Sequence, residues 1–200
     1  MTRRANDAYY TPRAAAQELL QELAPLLAET TYGVVVDPAC GRGALLDAVA
    51  LELPKYKWEE RIGYEIDPDA AAYTRKHPHG VIGVDYLTTN VGPQVDLFIS
   101  NPPFSLSHEF VTKMLDERGP YTYVACLLRL GFLGSQKRAD WWRAHTPDAL
   151  RILSKRPSFT DDGRTDNSEY AWYVWIPSSQ YRDHDGHDAR VAPLGWYGGR

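Results

Sequence analysis

Short apolar runs alternate along the chain with stretches whose apolar residues follow a helical spacing. The runs, which are typical of buried strands, lie at 33–36, 61–66, 81–84, 95–100 and 121–128. The helical stretches lie at 12–27, 44–53, 69–76, 107–117 and 137–144. Strands and helices that alternate at this spacing predict an α/β fold with a mostly parallel central sheet and helices on both faces.

The two ends of the chain depart from this alternation. Thr11 and Pro12 predict the N-cap and the first residue of the first helix, and Pro25 should bend or split that helix. An aromatic and β-branched run at 170–176 predicts a terminal strand. The polar, glycine-rich residues from about 178 to the end predict a loosely held tail.

Composition narrows the class of protein. Of the 200 residues, 44% are hydrophobic and 24% are charged, which is enough apolar material for a core. No apolar run approaches the roughly 20 residues of a membrane helix, and the first residues lack the apolar segment of a secretory signal. Two cysteines, Cys40 and Cys126, exclude a disulfide framework. We therefore expect a single domain over 1–200, cytoplasmic and without a membrane partner.

Charge is distributed unevenly. The formal net charge is −4, and residues 1–100 hold nine basic and 14 acidic side chains. Residues 118–164 hold nine basic and four acidic side chains instead. We expect any polyanion, a nucleic acid above all, to meet 118–164, although a solvated basic face is the plainer alternative.

Acidic side chains follow three successive predicted strands. Asp37 opens a turn that contains Gly41 and Gly43, and Glu65 and Asp85 follow the next two strands. In open α/β sheets, ligands bind beyond the carboxyl ends of the strands. Glu65 is placed to accept the hydroxyls of a ribose, and Asp85 with a backbone amide could read the amino edge of an adenine. Three carboxylates fit a cationic nucleoside, and S-adenosylmethionine has this chemistry.

The strongest motif is Asn101-Pro102-Pro103-Phe104, which directly follows the fourth predicted strand. The prolines remove two backbone donors and stiffen the turn. The Asn101 amide and the Pro102 carbonyl could then accept the two N–H hydrogens of one exocyclic amine, which turns the nitrogen lone pair towards a methyl donor. Phe104 offers a ring on which a flat base can stack. An ordinary turn that closes a strand is the alternative.

Together these residues resemble the class I S-adenosylmethionine-dependent methyltransferases, and among them the DNA adenine-N6 methyltransferases whose cofactor motifs precede the catalytic motif. The resemblance implies a Rossmann-like fold and S-adenosylmethionine as the cofactor. Residues 10–12 are similar to the N-terminal cofactor motif, 37–43 to the glycine motif and 101–104 to the catalytic motif. The implied cofactor-binding residues are Tyr10, Thr11, Pro12, Asp37, Pro38, Ala39, Cys40, Gly41, Gly43, Glu65, Ile66, Asp85 and Tyr86. The implied catalytic residues are Asn101, Pro102, Pro103 and Phe104.

The resemblance also implies how DNA is held. The target adenine leaves the duplex and lies between aromatic faces, for which Phe104 and Phe159 are the candidates. A packing role is the alternative for Phe159, a single phenylalanine in a loop of proline and serine. The candidate substrate-binding residues are Phe104, Phe159, Lys137, Arg138, Arg143 and Arg156. Because few residues follow Phe159, we expect no sizeable target-recognition domain. The sequence preference should then be short or lax, as in compact phage or mobile-element enzymes, or a partner supplies it.

Other interpretations stay open. The same tetrapeptide, more often ending in tyrosine, occurs in methyltransferases that act on RNA or on a protein glutamine, and a basic stretch does not separate DNA from RNA. A non-catalytic remnant that binds nucleic acid is a further alternative, against which the intact motifs argue. The histidine pairs at 77, 79 and at 184, 187 lack the spacing of a closed zinc site, so we expect no metal. The recognition sequence and the oligomeric state, a dimer among the options, are left undetermined.

Overall fold

The structure is a computed structural model that describes residues 11–27, 33–53, 58–74, 80–91, 94–159, 165, 167–177 and 194–197. The helices of this part of the chain are Ala14–Leu23 (α1), Ala44–Glu52 (α2), Pro68–Thr74 (α3), Ser107–Glu117 (α4) and Ala139–Ala144 (α5). Its strands are Val34–Asp37 (β1), Glu60–Tyr64 (β2), Gly80–Ile82 (β3), Leu97–Ser100 (β4), Tyr123–Arg129 (β5), Ala149–Leu153 (β6), Tyr170–Trp175 (β7) and Leu194–Tyr197 (β8).

The eight strands form one sheet in the order β3-β2-β1-β4-β5-β7-β6-β8. The first five strands of the chain, β1 to β5, pair with one another in parallel. β7 runs antiparallel to both β5 and β6, and β8 pairs in parallel with β6. The predicted α/β fold with a mostly parallel central sheet is therefore confirmed.

Each face of the sheet carries its own core, because successive side chains of a strand point to opposite faces. Leu97 and Ile99 of β4 pack in a cluster with residues of α1 and α2, whereas Phe98 packs in a second cluster with residues of α4. None of the helices within the described residues combines the length and the apolar character that crossing a membrane requires. Because β1 to β5 run parallel, their carboxyl ends share one edge of the sheet, and helices cover both of its faces.

The prediction of a terminal strand at 170–176 was wrong about its place. This run forms β7, which lies between β5 and β6 and is buried along its whole length. β6, whose residues alternate between buried and half-buried, was missed as a strand. The tail also differs from expectation, because residues 194–197 pair with β6 as β8. The other tail residues from 178 onwards lie outside the described residues.

The start of α1 differs from its prediction as well. Arg13, not Thr11, occupies the N-cap, and it provides no side-chain hydrogen bond to the helix. The Thr11 hydroxyl has another partner, described below. α1 ends at Leu23, two residues before Pro25. Its Glu22 forms an ion pair with the buried Arg151 of β6, with Arg151 Nε 2.8 Å from Glu22 Oε2, so the helix is fixed to the antiparallel half of the sheet.

Candidate functional site

The turn between β1 and α2 depends on its glycines. Gly41 and Gly43 have φ values of 52° and 82°, which residues with a Cβ rarely adopt. The Cys40 amide donates to the Tyr64 carbonyl at 2.9 Å, so the turn is hydrogen-bonded to β2. Gly63 of β2 allows this approach, because a Cβ there would lie 2.5 Å from Cys40 Sγ. Burial raises the pKa of the Cys40 thiol, which therefore stays neutral and acts in packing.

Glu65 receives two amides at the end of β2. Its Oε2 accepts from the Gly41 amide at 2.8 Å and its Oε1 from the Asp67 amide at 2.7 Å. These bonds fix the carboxylate against the glycine turn, and each oxygen retains capacity for a further donor. Burial raises the pKa of Glu65, opposed by the two amide hydrogen bonds. The neighbouring Ile66 leaves 55% of its surface exposed, which provides an apolar face beside a fixed carboxylate.

Asp37 is buried at the end of β1. Its Oδ1 accepts from Ser100 Oγ at 2.9 Å and from the Ala39 amide at 3.1 Å. Burial raises the pKa of Asp37 to about 7, and the charge of Glu65 acts in the same direction. A cationic group placed beside Asp37 would favour its ionised form.

The loop that follows β3 supplies a carboxylate, and the neighbouring Tyr86 can contribute its backbone alone. Asp85 Oδ1 accepts from the Leu87 amide at 2.9 Å and caps a short 3-10 turn. The Tyr86 side chain does not face a ligand: it is buried, and its hydroxyl donates to Glu117 Oε2 at 2.8 Å. The Tyr86 ring stacks on Phe110 at a centroid distance of 5.7 Å, so only its backbone is left for the site.

Asn101 stands at the end of β4 with one end of its amide bound. Its Nδ2 donates to Thr11 Oγ1 at 2.9 Å, and both residues are buried. Its Oδ1 is buried and has no hydrogen-bond donor within the described part of the chain. An unsatisfied buried acceptor costs roughly 1–3 kcal/mol. The Pro103 carbonyl, rather than that of Pro102, closes the following turn by accepting from the Leu106 amide at 2.9 Å.

Phe104 belongs to a cluster of rings. Its centroid lies 5.5 Å from that of Tyr170 and 6.1 Å from that of Phe159, with an interplanar angle of 68° to Phe159. Two rings that hold a base between them would be parallel and about 7 Å apart, twice a van der Waals contact. The predicted pairing of Phe104 and Phe159 around a base is therefore not seen. Phe159 is buried in edge-to-face contact with Tyr170, 5.0 Å away, and supports Phe104 from the side.

Sequence reasoning left Arg129 out of the site. Arg129 ends the otherwise apolar β5, and its guanidinium carbon lies 4.4 Å from the Phe104 ring centroid. Its Nε donates to the Tyr170 hydroxyl at 3.4 Å. A base that stacks on this face of Phe104 requires the guanidinium to move. A basic residue at the end of a buried strand, next to the strand that carries Asn101, was the signal that could have found it.

The basic residues among the candidate substrate-binding residues differ in their partners and in their exposure. Arg138 has partners within the protein: its Nε and Nη2 donate to the Phe132 carbonyl at 3.1 and 2.9 Å, and the guanidinium covers the Phe132 ring. Lys137 and Arg143 are exposed, and Arg143 pairs with its helix neighbour Asp140. Arg156 Nε donates at 3.0 Å to Glu169, the residue before Tyr170 in the ring cluster.

The remaining predictions concern residues outside the described part of the chain and the binding of metal ions. Tyr10, the first implied cofactor residue, lies outside the described residues, as do the histidines at 77, 79, 184 and 187. Within the described residues, no group of three or more His, Cys, Asp or Glu side chains could hold a metal ion.

The fold is similar to that of class I S-adenosylmethionine-dependent methyltransferases in solved structures. A Listeria monocytogenes protein assigned to that class has a TM-score of 0.72 at 15% identity, over 94% of this chain and 65% of its own. The methyltransferase subunit of a type I restriction-modification system from Streptococcus thermophilus has a TM-score of 0.66 at 17% identity, over 86% of this chain and 45% of its own.

A Pyrococcus horikoshii protein assigned as an RNA methyltransferase has a TM-score of 0.62 at 22% identity, over 84% of this chain and 87% of its own. The chain thus spans less than two thirds of the length of the first two structures. No protein-family model and no curated protein sequence matches the chain.

Proposed function

We propose that this protein transfers a methyl group from S-adenosylmethionine to the N6 amine of adenine in DNA. The observation that carries the proposal is the Asn101 amide, whose buried oxygen has no donor within the described residues although its nitrogen is bound. An unpaired acceptor at the end of β4 suits a ligand that brings its own N–H group.

The cofactor part of the proposal rests on Asp37 and Glu65. Glu65 is held by two amides in a position to accept ribose hydroxyls, and Ile66 offers an apolar face for the base. Asp37 is a buried carboxyl with a pKa of about 7, so a nearby ammonium group of the cofactor would stabilise its ionised form. When bound, the cofactor supplies the methyl: the N–CH3 bond forms as the S–CH3 bond breaks, and the amine loses a proton to water.

The chemistry that the chain itself supplies is orientation of the amine. Asn101 Oδ1 and the Pro102 carbonyl accept the two N–H hydrogens, which directs the nitrogen lone pair away from them and towards the donor. Phe104 stacks against the base, after the Arg129 guanidinium has left the ring. No side chain has to form a covalent bond, so positioning and hydrogen bonding provide the rate.

Three features support a DNA substrate: two favour a nucleic acid, and the tetrapeptide favours DNA over RNA. The comparisons include both restriction-modification and RNA methyltransferases, which favours a nucleic acid over a protein substrate. The tetrapeptide ends in phenylalanine, whereas the RNA and protein-glutamine enzymes with this motif more often carry tyrosine. The exposed Lys137, Arg143 and Arg156 make 118–164 the part that meets the phosphate backbone.

Transfer of a labelled methyl group tests the proposal directly. We expect the wild-type protein to label duplex DNA at adenine, and Asn101→Ala to lower kcat by at least about 100-fold, as loss of one transition-state hydrogen-bonding group does. Asn90→Ala, at an exposed asparagine, is the matched control and should keep wild-type activity.

Three results contradict the proposal: labelling of RNA or protein but not DNA, labelling of no substrate, or undiminished labelling by Asn101→Ala. Calorimetric titration with S-adenosylmethionine distinguishes a defect in methyl transfer from a loss of the folded protein. If Asn101→Ala binds the cofactor as the wild type does, its loss of activity arises at the amine and not from unfolding.

A further inference from the structure

The bond between Thr11 and Asn101 joins two residues that are 90 positions apart. Thr11 Oγ1 accepts from Asn101 Nδ2 at 2.9 Å, and each residue is only 8% exposed. The Thr11 hydroxyl does not cap α1, whose N-cap is Arg13. The hydroxyl of Thr11 is therefore engaged with the catalytic loop and not with the helix that it precedes.

A side-chain amide has two ends of nearly equal shape and opposite hydrogen-bonding character. Rotation of the Asn101 amide by half a turn would exchange its oxygen for an NH2 group, which cannot accept a hydrogen bond from a substrate amine. A hydroxyl can accept from Nδ2 or donate to Oδ1, so the bond to Thr11 fixes where the amide lies; in the described structure Nδ2 is the bound end and Oδ1 is the unpaired end.

Thr11 is itself held in place. The Pro12 carbonyl accepts from the Ala15 amide at 2.9 Å, which joins the segment to the first turn of α1. The indole of Trp172, in the buried β7, donates to the Ala15 carbonyl. The segment is thus fixed to the sheet that carries Asn101, so the hydroxyl can act as a stationary reference for the amide.

We infer that Thr11 is a positioning residue, which holds the Asn101 side chain in the place from which its unpaired oxygen can meet the substrate amine. This inference rests on the proposed function, because the oxygen matters only if an amine is the acceptor of the methyl group. It gives Thr11 a different role from the cofactor contact that the sequence motif implies, and the two roles predict different kinetic effects.

Two substitutions separate these roles. Thr11→Val keeps the shape and removes the hydroxyl, and we expect it to lower kcat about 10-fold, as loss of one orienting hydrogen bond does, with the Kd of S-adenosylmethionine within about twofold of wild type. Thr11→Ser keeps the hydroxyl and should restore kcat to within about threefold. Thr112→Val is the matched control, because the buried Thr112 hydroxyl has no partner within the described residues.

A double-mutant cycle provides the decisive readout. In the Asn101→Ala background, Thr11→Val should lower kcat no further, because the amide that Thr11 holds in place is gone. Additive losses, equal losses in Thr11→Ser and Thr11→Val, or a weaker cofactor Kd with unchanged kcat each overturn the inference. A wild-type protein that transfers no methyl group contradicts the proposed function, whereas an active wild type with an unaffected Thr11→Val contradicts this inference alone.

Discussion

At the scale of single residues, Asp37 makes the stability of the free protein depend on pH. Folding buries this carboxyl and raises its pKa from 3.8 to about 7, mainly through loss of hydration. A raised pKa in the folded state means that the stabilising contribution is complete below about pH 4 and is lost as the pH rises through about 7.

We therefore expect Asp37→Asn, which retains an oxygen acceptor for Ser100 and the Ala39 amide, to remove this loss. Thermal unfolding of wild type and variant at about pH 5 and about pH 8 measures it, and the variant should gain stability relative to wild type at the higher pH. Parallel pH profiles would show that Asp37 titrates in its ordinary range.

The positions of single residues could be predicted where a polar residue stands at the end of a predicted parallel strand. Asp37, Glu65 and Asn101 lie where the sequence placed them, because the carboxyl ends of parallel strands meet at one edge. The side-chain directions of Tyr86 and Arg138 could not be predicted, because the direction of a long side chain depends on partners supplied by the tertiary structure. Those partners are Glu117, 31 positions away, and the Phe132 carbonyl.

At the scale of elements, the approach of β2 to the glycine turn depends on Gly63. A methyl group there would lie 2.5 Å from Cys40 Sγ and 2.9 Å from Cys40 Cβ, so the turn would have to shift. We expect Gly63→Ala to cost about 1–3 kcal/mol of unfolding free energy, as overpacking does. It should also weaken S-adenosylmethionine binding, because the turn carries the Gly41 amide that fixes Glu65.

Denaturant unfolding and calorimetric titration measure the two effects. Gly131→Ala is the matched control, since a Cβ at that position meets nothing within 4 Å. If both alanine variants unfold at the same denaturant concentration, the contact between β2 and the turn does not constrain the site.

The strand order shows what the sequence leaves undetermined at this scale. The aromatic run 170–176 predicted a strand correctly, yet its composition does not reveal that it lies between β5 and β6. β6 was missed because Arg151 interrupts a short apolar stretch, and its charge is compensated by Glu22 of α1, 129 positions away. The place of β7 and the formation of β6 both depend on contacts between elements that are distant in sequence. The spacing of apolar residues along the chain does not reveal these contacts.

At the scale of the whole molecule, the sheet converts separation along the chain into proximity at one edge. Asp37 and Asn101 are far apart in sequence, but β1 and β4 are neighbours, and the Ser100 hydroxyl next to Asn101 donates to Asp37. A cofactor that bridges β1 and β2 and reaches the end of β4 would therefore stabilise the assembled sheet edge, which exists only in the folded state.

Such a ligand raises the melting temperature by mass action. At about 100 times its Kd, S-adenosylmethionine should add about 2.7 kcal/mol, or roughly 5–10 °C for a chain of this length. We expect Glu65→Ala to remove most of this shift, because it deletes the carboxylate fixed by the Gly41 and Asp67 amides. Glu60→Ala is the control, because Glu60 is the exposed first residue of β2, the strand that Glu65 follows. This variant should keep the shift in melting temperature.

The pH dependence of that shift connects the residue scale to the molecular one. Since the cofactor carries an ammonium group, its binding favours ionised Asp37, so the shift should be larger at about pH 8 than at about pH 6, the reverse of the trend in the stability of the free protein. A wild-type melting temperature that S-adenosylmethionine leaves unchanged at both pH values would exclude it as the ligand of this edge. A shift that is equally large in Glu65→Ala would instead exclude Glu65 as its ribose contact.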